Sequence, residues 1–322
     1  HRETRIPAML PTLERGADPA PPYPRPMPCP TPEQRKVRIS ATALDRLLGD
    51  PYQFYAQEIL KLRTLDPLAA DPFGDPALRG TLVHDILDAW HKQRATDPAL
   101  AIAPFAERMF AEARVHPLFK GLWQPRLIAA MEQFETWVDE AADEGRVVAG
   151  TELWGEIEVD GITVFGKVDR IDRLADGSLA IIDYKTGKPP SKKEVAKGYR
   201  LQLGVLGLIA QRAGFKAGDG MIAGEPSEFG FWSLRKVKGE YGEQFDPMKR
   251  NPRQQGLLPE DFLPTHADYL GKAIATYLNG DAPFTAKENP DYPGYSEYDQ
   301  LMRLEEWVIR LSEAADGGEE RA

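Results

Sequence analysis

Cysteine is almost absent from this chain: Cys29 is the one thiol among 322 residues. A lone thiol excludes an internal disulfide framework and any zinc or iron–sulfur centre built from several cysteines of the chain. It also fits a reducing compartment, so a cytoplasmic location is expected. Long apolar runs are missing as well, and none approaches the roughly 18 residues of a membrane span. The N-terminus is polar and Pro-rich, without the apolar stretch of a signal peptide, so no membrane partner is expected. No GxxxxGK[ST] signature occurs, which leaves the chain without an expected nucleotide cofactor or motor. Basic excess is lacking too: a net charge of −10 argues against nucleic acid covering the whole surface, but permits a local basic channel.

What is present is a globular composition, with 42% hydrophobic and 28% charged residues, enough for one large core. Residues 1–36, which include ADPAPPYPRPMPCPTPEQ, are too rich in proline for helix or sheet and are expected as an extended linker. Such an opening is expected of a piece cut from a longer protein. One domain is expected over residues 37–315, with its core at 80–237, and a frayed acidic tail at 316–322.

From Gly166 to Gly187 the chain reads GKVDRIDRLADGSLAIIDYKTG. Asp176-Gly177 between two alternating apolar runs predicts a hairpin with a type I′ turn. Strand alternation puts Asp183 and Lys185 on one face and Tyr184 on the other, and the hairpin brings Asp169 beside them. Two carboxylates and an ammonium on one patch point to a divalent-metal site with a lysine beside a bound water. Taken singly, the same charges would pass for a solvated ion-pair cluster. A second hairpin signal, Asp160-Gly161, joins TELWGEIEV to GITVFGKVDRI and makes a three-stranded antiparallel meander. A further strand is expected at 230–237, with 238–260 irregular.

Upstream, Gly80 to Arg94 predicts an amphipathic helix with Val83, Leu87 and Trp90 as its stripe. Gly80 and His84 share one face of it, and a glycine there would allow close approach of another backbone. His84 read alone is a hydrogen-bonded core histidine, and His91, His116 and His266 carry no motif. Other helices are expected at 101–115, 122–144, 191–213, 264–279 and 299–314. Gln202 stands in a nearly all-apolar run and must find a partner or face a wet cleft. Lys185, Lys188, Lys192, Lys193, Lys197 and Arg200, against Glu194 alone, fit either a solvated loop or a phosphate-tracking patch.

A helix with GxxxH, a strand with GxxDRID, a strand with IIDYKTG and a helix with Gln, in that order, resemble the PD-(D/E)XK nuclease superfamily. More narrowly they resemble its RecB-like branch and the AddB-type nuclease domains of bacterial AddAB helicase–nucleases. The resemblance runs from about Ile39 to Trp307 and is specific between Gly80 and Gln202; ISATALDRLLGDPYQFY is also similar to the opening of such a domain. It implies a mixed α/β fold with a restriction-endonuclease-like core: a mixed sheet holding the antiparallel meander, flanked by helices, with helical insertions. The family's motif histidine falls on His84, its first acid on Asp169, its D-x-K pair on Asp183 and Lys185, and its glutamine on Gln202. A tyrosine that often follows the glutamine is Leu206 here. Many relatives hold an iron–sulfur cluster through cysteines whose positions fall on Asp50, Pro293, Ser296 and Met302, so no such cluster is expected. Packing of Tyr52, Phe54, Tyr295, Tyr298 and Trp307 is expected to join the two ends instead.

The implied chemistry is exonucleolytic hydrolysis of DNA phosphodiesters in double-strand-break repair or recombination. His84, Asp169, Asp183 and the Tyr184 carbonyl would hold Mg2+ or Mn2+, the imidazole favouring Mn2+, with either one ion or two. Lys185 would lie beside the attacking water. Gln202, Lys188, Lys192, Lys193 and Arg170 are the expected nucleic-acid contacts. DNA, as a single strand or an unwound end, and an AddA-type helicase–nuclease subunit are the implied partners. The alternatives are a catalytically silent nuclease-fold module that binds DNA or scaffolds a helicase, and an unrelated metal hydrolase acting on small phosphodiesters.

Overall fold

Two hairpins lay down the sheet in this computed structural model, which describes residues 23–63, 76–113, 116–248, 256–289, 292 and 298–307. Strands β2 (Val147–Val159) and β3 (Ile162–Arg173) pair antiparallel around Asp160-Gly161. Those two residues take φ of 49° and 77°, both positive, as a type I′ turn requires. β4 (Leu179–Lys185) returns antiparallel along β3. Its turn departs from the expected type I′, because Gly177 alone has a positive φ. Asp176 instead uses its carboxylate to accept from the Ser178 N–H and hydroxyl at 2.9 and 2.6 Å.

β7 (Pro226–Val237) lies parallel to β4, and β8 (Glu240–Phe245) closes that edge. β8 falls in the stretch expected to be irregular, where Gly239 and Gly242 with positive φ masked a short hairpin strand. At the other edge lie β5 (Phe215–Ala217) and β6 (Gly220–Ile222), giving the order β6-β5-β2-β3-β4-β7-β8, with β1 (Ile39–Ser40) parallel beside β3. The result is a mixed eight-stranded sheet.

The helices are α1 (Pro32–Arg35), α2 (Ala41–Gly49), α3 (Pro51–Phe54, running into a π-helical turn at Tyr55–Ile59), α4 (Pro76–Arg94), α5 (Ile102–Glu112), α6 (Pro117–Asp143), α7 (Lys192–Ala196), α8 (Gln202–Arg212) and α9 (Pro259–Ala273, followed by a π-helical turn at Ile274–Leu278). Helices α4, α5 and α6 cover one face of the sheet, burying Trp90, Phe110 and Phe134 against Ile182, Tyr184 and Trp232. Helices α2, α8 and α9 cover the other, with Leu44, Val205, Leu206 and Phe262 over Ile171, Leu179 and Ile181. The helix expected at 191–213 is two helices, broken after Ala196 with Gly198 at φ 78°. α9 begins at Pro259, not Pro264; proline suits its first turn, where the missing N–H costs nothing. No helix among the described residues is long and apolar enough to cross a membrane.

Part of the expected linker is docked. The Pro26 and Pro28 carbonyls each accept at 2.9 Å, from the N–H groups of Ala286 and Phe284. Arg35 donates to the Tyr277 and Ala282 carbonyls at 2.6 and 3.0 Å. Residues 1–22 lie outside the described residues. The two ends of the domain meet through Tyr298, Met302 and Trp307 packed with Ala56 and Ala286, Tyr52 against them, and Phe54 stacked on Phe284. Lys287 bridges Asp50 and Asp299 at 3.6 and 2.7 Å in the same region. Tyr295, Pro293, Ser296 and the chain beyond Trp307 lie outside the described residues.

Candidate active site

The β3–β4 ladder runs from Arg173–Leu179 to Arg170–Ile182, and Asp169 and Asp183 are the next residue on each strand. They face each other across the point where the strands part. Asp183 is 1% exposed, and its Oδ2 lies 2.6 Å from Lys185 Nζ. Lys185 Nζ also donates to Gln202 Oε1 at 3.2 Å. Asp169 Oδ2 accepts from the Tyr184 backbone N–H at 2.6 Å, which ties the strands across the fork. Its other oxygen lies 3.4 Å from Nδ1 of His84, on α4. The His84 ring meets Tyr184 edge-on, with centroids 5.8 Å apart.

The same His84 nitrogen lies 3.3 Å from Oε1 of Glu152, a residue that sequence reasoning missed. Glu152 sits between the pairs Thr151–Arg170 and Leu153–Val168, and so opposite Asp169. It takes a φ of 53°, which an L side chain adopts at a cost of order 1 kcal/mol or more and which recurs at functional sites. Lys167 forms an ion pair with its second oxygen. The signal for Glu152 was in the sequence: counting back from the Asp160-Gly161 turn places it across from Asp169.

Charge in this corner is held against burial. Burial alone would lower the His84 pKa, but its contacts with Asp169 and Glu152 outweigh it and raise the imidazole to about 10. Burial pushes the Asp183 carboxyl up and neighbouring Asp169 adds to this, against the pull of Lys185. Burial opposes the Lys185 charge, yet Asp183 more than offsets it and keeps the ammonium above its ordinary range. Burial would raise Glu152, but His84 and Lys167 hold it low. His84, Glu152 and Asp169 each offer a ligand atom within 4.8 Å of one another, a set that could hold a metal ion. One imidazole with carboxylate oxygens is a donor set for a divalent cation.

The other expected residues divide. Gln202 is the first residue of α8 rather than a mid-helix amide, and the Leu201 N–H before it donates to buried Asp45 Oδ1 at 2.7 Å. A cleft of about 600 Å3 opens here, lined by Lys185, Gln202, Lys188, Arg46 and Arg200. Lys193 is exposed on α7, while Lys192 leans over Phe245 at 5.4 Å. Arg170 is not a nucleic-acid contact: it is 1% exposed, paired with Asp172 at 2.6 Å and set over the Trp232 ring. It faces the α4–α6 core although Val168, two residues earlier, packs in the opposite one, so the alternation breaks between them. Gly80 makes no close approach either, since a Cβ there would meet only Thr186 Oγ1 at 3.9 Å.

Several known proteins are similar to this chain. Over 185 residues it is 29% identical to an uncharacterized protein of Rickettsia bellii, covering 55% of this chain and 22% of that protein. Over 178 residues it is 26% identical to a subunit of the ATP-dependent helicase/deoxyribonuclease of Streptococcus agalactiae, covering 52% of this chain and 15% of the other. The chain thus spans less than a quarter of the length of these relatives. A putative exonuclease from Eubacterium rectale superposes with a TM-score of 0.42 at 12% identity, over 81% of this chain and 88% of that one. The model of the PD-(D/E)XK nuclease superfamily matches residues 38–319, nearly the whole domain, and the chain belongs to that superfamily.

Proposed function

We propose that the corner between α4 and the β3–β4 fork is the active site of a metal-dependent deoxyribonuclease. The observation that carries this is the convergence of Asp169, Asp183 and Lys185 at the fork, with His84 and Glu152 closing it. The donor set fits a divalent cation, because buried like charges this close are unfavourable until a cation lies among them. Asp169, Asp183, His84, Glu152 and the Tyr184 carbonyl would hold Mg2+ or Mn2+. Such an ion would stabilise charge on the scissile phosphate and lower the pKa of a bound water.

The chain's own groups supply the rest. Lys185, fixed by Asp183 and Gln202, presents an ammonium where a phosphate oxygen or attacking water would lie. The Tyr184 N–H holds Asp169 in place, so this carboxylate need not reorganise as charge develops. Lys188 and Gln202 at the rim of the basic cleft would guide the strand, with Lys193 nearby. The similarity to a helicase/deoxyribonuclease subunit supports action on DNA beside a helicase partner; unwound ends, an AddA-type partner, break repair and a cytoplasmic setting are the further parts of this proposal.

End-labelled single-stranded and duplex DNA, incubated with Mn2+, Mg2+ or EDTA, tests this reading. Cleavage should require the metal and fall by several powers of ten in Asp183→Ala. Cleavage in EDTA, or retained by the variant, would refute the site. Binding without cleavage would favour a silent module that scaffolds a helicase.

A further inference from the structure

Outside the catalytic corner, the β2–β3 hairpin carries an aromatic patch on a stretch of sheet that none of the described helices covers. Trp154 is 56% exposed, large for an indole on a paired strand. Its ring meets Phe165 at 6.1 Å, and Arg38 lies over Phe165 at 5.1 Å. Trp154 pairs across the strands with Lys167. On its other side β5 pairs with β2 at Gly155–Phe215, which sets exposed Lys216 beside Trp154. Trp154, Phe165, Arg38, Lys216, Glu156 and Met221 bound a groove of about 500 Å3, with Lys167 next to it.

The position of this patch is informative. Two residues inward from the Trp154–Lys167 pair, Glu152 stands opposite Asp169. The two pairs are thus about 7 Å apart along the strands, a distance that one nucleotide of an extended strand spans. Lys167 joins them directly through its ion pair with Glu152. Aromatic faces interleaved with cations are the chemistry of sequence-tolerant single-strand binding, in which bases stack and phosphates meet the cations. A protein-docking patch would be depleted of lysine at its centre, whereas Lys167 and Lys216 flank Trp154 on both sides. Arg38 and Lys167 are each partly offset by a carboxylate, Glu156 and Glu152, and Lys216 adds a further exposed cation.

We propose that the outer face of the β2–β3 hairpin is a stacking platform for unpaired bases of the strand entering the Asp169–Asp183 corner, with Trp154 carrying a base and Lys167 and Lys216 its phosphates. This rests on the nuclease reading for its direction, but its test does not depend on catalysis. The probe is a fluorescein-labelled oligothymidylate long enough to cross both sites, titrated in EDTA against the full chain and followed by anisotropy. Trp154→Ala should weaken binding at least about fivefold, and Trp154→Phe should restore most of it. Melting should be unchanged in both variants, because the side chain is exposed. Loss of affinity in Trp154→Ala stands as support even if the wild type cleaves no DNA, which would sink the nuclease reading alone. No binding by the wild type, or equal affinity in Trp154→Ala, overturns the platform, and a cleaving wild type with that result would leave the patch to a protein partner.

Discussion

Asp169 and Asp172 stand three residues apart on β3, both buried, and serve opposite ends. Asp172 faces the α4–α6 core, 0% exposed, matched one-to-one by Arg170 at 2.6 Å beneath Trp232. Asp169 faces the fork, where Asp183 and Glu152 crowd it and three cationic groups must be shared among three acids. One of those groups, His84, has its pKa raised to about 10 by Asp169 and Glu152 against the effect of burial. Burial of charge therefore does not mark a functional site. What distinguishes the fork is the convergence of like charges from separate elements beside a residue of positive φ.

The largest effect that separates the two faces is on cleavage. Asp169→Asn should lower the cleavage rate by several powers of ten with the fold retained, because Asn can still accept from the Tyr184 N–H. A steep loss of stability instead would make Asp169 structural. On the other face, Arg170→Met should cost about 3–5 kcal/mol of stability by stranding the Asp172 charge, with cleavage per folded molecule retained. Arg170→Met combined with Asp172→Leu should recover much of that loss in denaturant titrations.

A third carboxylate adds a pH test. Burial pushes Asp45 up to about 7, against its hydrogen bond from Leu201 and the nearby Arg200. A folded-state pKa above the unfolded one means that the folded state binds more protons, so this group's contribution falls as pH rises from about 4 to 7. Asp45→Asn keeps the acceptor for the Leu201 N–H and removes the charge. Its stability relative to wild type should therefore grow across that window, by up to about 4 kcal/mol; a flat difference would contradict a buried, strained carboxylate there. The smallest effect belongs to Glu152→Gln, which should weaken Mn2+ binding about 10–100-fold and lower the His84 pKa, read by NMR titration.

Much of this was legible in the residues. Alternation along IIDYKTG placed Asp183 with Lys185, and the glycine turns placed Asp169 beside them. The family resemblance, not the helix period, supplied His84, which read alone is a core histidine. Turn geometry also contained Glu152, but its positive φ breaks the strand pattern that sequence reasoning follows. Arg170 was misplaced because its charge suggested the surface and the strand alternation breaks between Val168 and Arg170, so only the tertiary structure shows Trp232 and Asp172 waiting there. The break before Gln202 had a local signal in Gly198, at φ 78°, but the partner at the new helix start, Asp45 accepting from Leu201 across 156 residues of sequence separation, is not local. Pro264 looked like a helix start because proline suits a first turn, but Pro259 takes that place and leaves Pro264 inside the helix.

Titration of the purified chain with Mn2+, by calorimetry and by melting, tests the contrast between the two faces most directly. The wild type should bind Mn2+ and melt higher as the ion rises past its dissociation constant. Asp169→Asn should lose both signals, and Arg170→Met/Asp172→Leu should keep them. Absence of Mn2+ binding in the wild type, or undiminished binding in Asp169→Asn, would contradict a metal site at the fork.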